Sequence, residues 1–410
     1  MPDTTLSDHA AEIDFTDDRF LADPWPVYRR LRQTRPVHFA PGAGAFMVLR
    51  HQDVAKALTD PRLTSDYPQR PTRRLFGPSV ADTEGAQHRA LRRMLVPLFN
   101  GQALEQVARP VIREVVEDVV DRVVDATRVD VQRDLTIPVL YGVALRLLGL
   151  PPADVDWLHE RVSAMTRVMD YPAAPLSTGL AARADLDEYV RSGGIQRRLP
   201  GGQPTVLGAI QDRFELDGPA TSGSALFFLL AITGTSIASI GSMVEALLSF
   251  TPGSWPMPET TPELFTETLR WQPPIHHLIR FAAEDIELHG VHIGRRQPVL
   301  LSLASANRDE SVFTAPDRWW PQRPAEARSL TFGAGWHSCV GTGLITAEVQ
   351  ELLAVLGSRF TNIRLDAPPS PSRSLGFRGP EHLWVRWEPA RTTATSTQTS
   401  EEGSNGPGNL

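Results

Sequence analysis

The stretch that most restricts how this chain can fold is Leu226 to Leu248, LFFLLAITGTSIASIGSMVEALL, whose apolar residues run most of the way round a helix. A helix that is apolar on all sides belongs in the middle of a large domain or in a membrane. The most apolar run, Ala225 to Ile232, is too short for a bilayer, which takes about 20 residues. The rest of the chain must therefore enclose it. With 410 residues, 41% of them hydrophobic and 22% charged, the sequence can bury a sizeable core.

The first thirty residues begin acidic and polar, with no apolar core segment, so neither a signal peptide nor a membrane anchor is expected. A net charge of −7 and a pI near 5.9 argue against nucleic acid, whose binding rests on basic surface. One cysteine in the whole chain fits a reducing compartment, and a cytoplasmic location is expected.

That cysteine, Cys339, lies in FGAGWHSCVGTGLITAE, residues Phe332 to Glu348. A thiolate is the reactive, metal-binding form, and nearby N–H donors or positive charge hold it deprotonated. Gly333, Gly335 and Gly341 let the backbone bend close to whatever the sulfur faces. The run from Leu344 to Leu356 reads as a helix, so its free amides and dipole favour an anionic sulfur just upstream. A lone axial thiolate of this kind suits haem iron. The plainer alternative is an inert buried thiol in a glycine-rich turn.

The spacing F-G-x-G-x-H-x-C-x-G-x-x-L, closing on Glu348, resembles the haem-binding loop of the cytochrome P450 family at Phe332, Gly333, Gly335, His337, Cys339, Gly341 and Leu344. Thr346 stands where the family usually has arginine, on the surface that meets electron donors. Three further features fall in the family's order. In HRALRRMLVPLF, His88 and Arg92 stand four apart on one helical face and can reach a single anionic group. The resemblance implies that they hold a haem propionate and that Arg280 holds the second. Glu267-x-x-Arg270 resembles the family's structural pair, with Arg318 of Pro316-Asp317-Arg318-Trp319 as the candidate third member. Its implied role is to brace the cysteine loop. His276 and His277 precede Arg280 in a segment expected to line the substrate pocket.

The resemblance also implies that the long apolar helix crosses the distal face of the haem. There the family pattern is A-G-x-[DE]-T-[TS], an acid and a threonine that relay protons to dioxygen. Laid on Gly234, the chain reads Thr233, Gly234, Thr235, Ser236, Ile237, Ala238, so Ser236 takes the acid's place and Ile237 the threonine's. No acidic residue occurs between Leu226 and Val244. A positioned proton donor typically contributes on the order of 10²–10⁴ in rate, and isoleucine donates none. The hydroxyl then comes from Thr235 or Ser236 with ordered water, or from the substrate, or the chemistry departs from hydroxylation.

The implied fold is mainly α with a small β-rich lobe: one haem domain over residues 14–388, a loose start at 1–13 and a polar, disordered tail at 389–410. The implied cofactor is haem b, with Cys339 as the metal ligand. The implied function is oxidation of a small, apolar natural product, with electrons from a ferredoxin-type partner and its reductase. Peroxide-driven oxidation, oxidative coupling or rearrangement, and a non-catalytic haem-thiolate sensor, are the alternatives.

Overall fold

The computed structural model describes residues 14, 17–170, 173–213, 218–250, 262–324 and 327–390; the expected loose start and nearly all of the expected polar tail lie outside them. The helices that build the site are α1 (Trp25–Thr34), α2 (Gly85–Leu95), α3 (Arg109–Asp121), α4 (Ile137–Leu148), α5 (Val155–Arg167), α6 (Leu176–Gly193), α7 (Gly218–Phe250), α8 (Pro262–Trp271) and α9 (Thr342–Arg359). The strands are β1 (Val37–Ala40), β2 (Ala45–Val48), β3 (Leu63–Thr64), β4 (Arg128–Asp130), β5 (His277–Ala282), β6 (Pro298–Ser302), β7 (Phe360–Leu365) and β8 (Trp384–Pro389).

The apolar periodicity decides the layering. In α3, Ile112, Val115, Val116, Val119 and Val120 form one buried stripe that packs on α4 and α9. Ser222–Phe250, 29 residues, would be long enough for a membrane and holds an 18-residue window of mean hydropathy 1.8, but 78% of that window is buried, and the helix packs on the protein's own α4, α5 and α6. This is a core helix, longer than the stretch from Leu226 to Leu248 that announces it. The β-rich lobe is a five-stranded sheet in the order β1-β2-β6-β5-β3, the hairpin of β1 and β2 holding the register Val37↔Val48 to Ala40↔Ala45. A second, three-stranded sheet has the order β4-β8-β7.

Two regions are more regular than their sequence suggests. Residues 64 to 86 carry a short helix, Pro71–Phe76, and a buried ion pair between Arg70 and Asp82 at 3.1 Å. The segment around residues 171–208, rich in proline and glycine at its ends, contains the 18-residue α6. Its buried residues Gly179, Ala182, Leu186 and Val190 recur at helical spacing, and that packing outweighs the weak start and stop signals.

The brace beneath the cysteine loop differs from expectation in one member. Glu267 and Arg270 are buried and paired through two contacts, Nε–Oε2 at 2.7 Å and Nη2–Oε1 at 2.9 Å. The third side chain is Arg323, its Nε 3.2 Å from both carboxylate oxygens. Arg318 contributes only its backbone carbonyl, which accepts from Arg270 and Arg323. Five residues further along, the chain has turned back toward α8, so Arg323 and not Arg318 reaches the acid. Arg270 also donates to the Asn307 carbonyl at 2.7 Å, and the Asn307 side chain accepts from the Leu330 amide (2.7 Å) and donates to Thr331 Oγ1 (2.8 Å). The triad thus reaches the two residues that precede Phe332.

Candidate active site

The cysteine loop is closed by the Cys339 amide donating to the Phe332 carbonyl at 2.9 Å, around a single 3₁₀ turn at Gly335–His337. Gly333 and Gly335 both sit at φ +69°, where a side chain would be strained, and a Cβ on Gly335 would come within 2.7 Å of Thr59 Cγ2. Gly341 differs: its φ is −91°, so it is not there for left-handed geometry. A Cβ on it would lie 3.9 Å from Cys339 Sγ, and glycine keeps that space beside the sulfur open. Phe332 packs, half-buried, on the main core and anchors the loop.

Cys339 is accessible, yet protein surrounds it closely enough to desolvate the thiol. Burial pushes the thiol pKa up. The amides of Gly341 and Thr342, the Thr342 hydroxyl and Arg92 oppose that shift without overcoming it. Helix α9 begins at Thr342, so the expected N-terminal donors are in place, although burial outweighs them for the bare thiol.

Cationic and imidazole side chains gather beside the sulfur. Arg92 of α2 donates to the Ser338 carbonyl at 2.5 Å and to its hydroxyl at 3.3 Å, which fastens α2 to the cysteine loop. His88, one turn earlier, is buried and stacks on His337 with ring centroids 4.1 Å apart. Burial, then the nearby His337 and Arg92, lowers its pKa to about 4. His337 Nε2 lies 3.1 Å from Glu84 Oε2. Glu84 is held below the usual carboxylate range: burial raises it, but His337, the Ser65 amide and Arg280 together prevail. Arg280, on β5, is buried, and burial and Arg70 bring its pKa down to about 10 against the pull of Glu84. Its guanidinium donates to the adjacent Ile279 carbonyl at 2.9 Å. Glu84, Ser338 and Arg70 carried no recognisable signal in the sequence.

On α7 the four distal residues separate onto different faces. Ile237 lines a cavity of about 370 Å³ with Tyr141 of α4 and His159 of α5, and its carbonyl accepts from Gln132 Nε2 at 3.2 Å. Gly234 lines the same cavity, where a Cβ would come within 3.2 Å of the Phe377 ring. Thr235 lies on a more open face and its hydroxyl donates to the Ala231 carbonyl at 3.4 Å. Ser236 is buried toward Glu348 of α9. His276 and His277, expected near the substrate, are both buried against the Tyr28 hydroxyl of α1, with contacts of 3.3 Å and 3.0 Å.

A family model described as Cytochrome P450 matches residues 259–380. The erythromycin C-12 hydroxylase of Saccharopolyspora erythraea is 30% identical over 356 residues, covering 82% of this chain and 87% of that protein. The pentalenic acid synthase of Streptomyces avermitilis is 30% identical over 397 residues, covering 90% and 94%. Among solved structures, CalO2 superposes with a TM-score of 0.79 at 26% identity, over 92% of this chain and 99% of that one.

The residues present fit a haem. His88 Nε2 is buried with no hydrogen-bond partner among the described residues, Arg280 is buried and Arg92 half-buried, and desolvation disfavours the charge of both. Such a set calls for anionic acceptors, which two propionates supply, near an accessible sulfur. The cysteine loop, its triad brace, the fold and the relatives agree: this chain belongs to the cytochrome P450 family.

Proposed function

We propose that this P450 monooxygenase, a haem enzyme of the kind used in bacterial secondary metabolism, oxidises a small, largely apolar natural product with electrons from a separate ferredoxin-type donor and its reductase, in the cytoplasm. In this reading residues 14–388 form one haem domain. Cys339 is the thiolate ligand, Gly333, Gly341 and Phe332 shape its loop, and Arg92, Arg280, His88 and His337 receive the propionates. The observation that carries it is that Arg92 is bonded into the cysteine loop at Ser338, that His88, whose Nε2 has no hydrogen-bond partner among the described residues, stacks on that loop's His337, and that Glu84 beside His337 faces the buried Arg280. When bound, haem supplies oxygen activation, and an axial thiolate favours O–O cleavage.

On α7 the family pattern fits better two residues earlier than Gly234 suggests. Ala231, Thr235 and Ser236 then take its alanine, threonine and final hydroxyl positions, with Ile232 at the glycine and Gly234 at the acid. The back-bond from Thr235 to Ala231 supports this phase, as does the placement of Ile237 against α4 and α5. Thr235 holds the proton-bearing hydroxyl, Gly234 gives space, and Ile237 packs. The missing acid favours a second reading in which peroxide drives oxidation, coupling or rearrangement.

A donor of acidic character suits the surface nearest the thiolate. Arg89 and Arg93 are exposed on α2, and Trp336 is 42% exposed three residues before Cys339. Thr346 adds no charge there, its hydroxyl tied to the Thr342 carbonyl at 2.8 Å. Titrating a panel of small apolar natural products into the ferric protein, read by the spin-state change, tests the substrate class. Responding compounds should be turned over with NAD(P)H, ferredoxin and reductase; turnover with hydrogen peroxide alone would support the second reading.

A further inference from the structure

Helix α7 has two unlike flanks. Ala231 and Thr235 lie on the more open one, while Thr233, Gly234, Ile237 and Ala238 line the cavity of about 370 Å³ between α4, α5 and the turn that carries Phe377. None of the residues proposed to hold haem lines that cavity. Its walls are held in place. Asp170, just beyond α5, accepts from the Leu375 and Gly376 amides at 3.1 Å and 2.7 Å, and Gly379 packs so close to α7 that a Cβ would come within 2.7 Å of Ala238 Cα. The volume lies within the range of small-molecule sites, roughly 300–1,000 Å³.

The face that α5 turns to this space is polar where an inward helix face is ordinarily apolar. His159, Ser163 and Thr166 recur at helical spacing, and all three line the cavity. Among the described residues the His159 ring has only long contacts, Nδ1 at 3.5 Å from the Tyr141 hydroxyl and Nε2 at 3.4 Å from that of Ser163. Gln132, also in the lining and 2% exposed, gives its Nε2 to the Ile237 and Pro380 carbonyls at 3.2 Å and 2.7 Å. Its Oε1 has no partner among the described residues. A buried acceptor of this kind is costly until a donor reaches it. The rim is balanced in charge, with Arg167 and Glu381 both exposed. Burial lowers the His159 pKa, Asp156 opposing and Arg167 adding to the shift, so the imidazole is neutral near pH 7.

We propose that this cavity is a second small-molecule site, separate from the haem side, which takes a neutral, ring-sized compound whose amide N–H or hydroxyl is accepted at Gln132 or His159 and whose apolar body packs on Ile237 and Phe377. A carboxylate suits it poorly, because it brings no donor for Gln132 and meets no net positive charge at the rim. A hydrocarbon leaves the polar wall unmet. Gly234 keeps the space open, since any side chain there would run into the Phe377 ring and Thr166.

Binding of 4-fluorobenzamide to the full-length haem-loaded protein, followed by fluorine NMR, is the test, with 4-fluorobenzoate and 4-fluorotoluene as controls of matched shape. The amide should bind saturably and roughly ten-fold more tightly than either control, the difference that about one well-made hydrogen bond supplies. It should leave the ferric Soret band where it is, and a compound that shifts the spin state should not displace it. His159→Leu and Ser163→Leu, which remove polar contacts and fill the space, should each weaken the amide by a similar factor while the thiolate-type carbon monoxide spectrum persists. His159→Gln, which keeps a donor and an acceptor, should recover part of the affinity. Amide binding no tighter than that of the controls, an affinity unchanged in both leucine variants, or displacement by the spin-shifting compound would overturn the proposal.

Discussion

A thiol whose pKa is raised by burial becomes a thiolate ligand only when a metal offers it more than desolvation costs, so Cys339 and its cationic neighbours are best understood together. The same holds for Arg92 and Arg280, whose charges are destabilised until carboxylates arrive. Replacing either by alanine should remove a charge-assisted bond worth about 1.5–3 kcal/mol, weakening haem retention roughly ten-fold or more, as measured by haem transfer to an apo-acceptor. Haem retention unchanged in both variants would contradict their assignment. On α7, Thr235→Ala should raise peroxide release relative to product, whereas Ile237→Thr, set against α4 and α5, should leave that ratio near wild type. The opposite ranking would restore Ile237 to the relay position.

Among elements, the joint between α8 and the cysteine loop depends on a buried carboxylate with two guanidiniums. Removing Arg323 leaves Glu267 held by Arg270 alone and strips its charge-assisted contacts to both carboxylate oxygens, so Arg323→Ala should cost roughly 1.5–3 kcal/mol in urea unfolding. Arg318→Ala, which keeps the backbone carbonyl that does the bonding, should stay within about 0.5 kcal/mol. Equal losses would refute the placement of Arg323 in the triad. The joint between α1 and β5 is held differently, by Tyr28 between two neutral histidines. Burial lowers the pKa of His277 to about 3 and that of His276 well below its ordinary value, with Arg378 and His277 adding to the latter. The unfolded chain binds these protons near pH 6.5 and the fold does not. Stability should therefore be complete above that pH and fall as pH drops toward 3, by about 1.4 kcal/mol per pH unit per histidine. In His277→Gln, acid unfolding should take up about one proton fewer; an unchanged slope would contradict a neutral buried His277.

At the level of the whole molecule, what the sequence made legible was what its spacing determines uniquely. Fixed positions around Cys339 and the four-residue step from His88 to Arg92 can be satisfied in only one way, and the structure brings those side chains to one place. The phase of α7 was not legible in the same manner. A helix apolar on every side carries no signal for which face meets which neighbour, and so sequence alone set Ile237 in a relay position, whereas the phase proposed here gives that position to Thr235. Arg318 and Arg323 both follow proline-containing turns, and sequence spacing does not reveal which one the chain folds back onto Glu267. Glu84 was hidden because a single acid before a helix reads as a helix-start residue. In the proposed reading every one of these features is arranged around a single sulfur, Cys339, as the metal ligand. The ferrous carbon monoxide spectrum of the purified haem-loaded protein, recorded beside Cys339→Ser, tests that most directly. A thiolate-type absorption in the wild type that is lost in the variant is the predicted result. A histidine-type spectrum, or one that Cys339→Ser leaves unchanged, would contradict it.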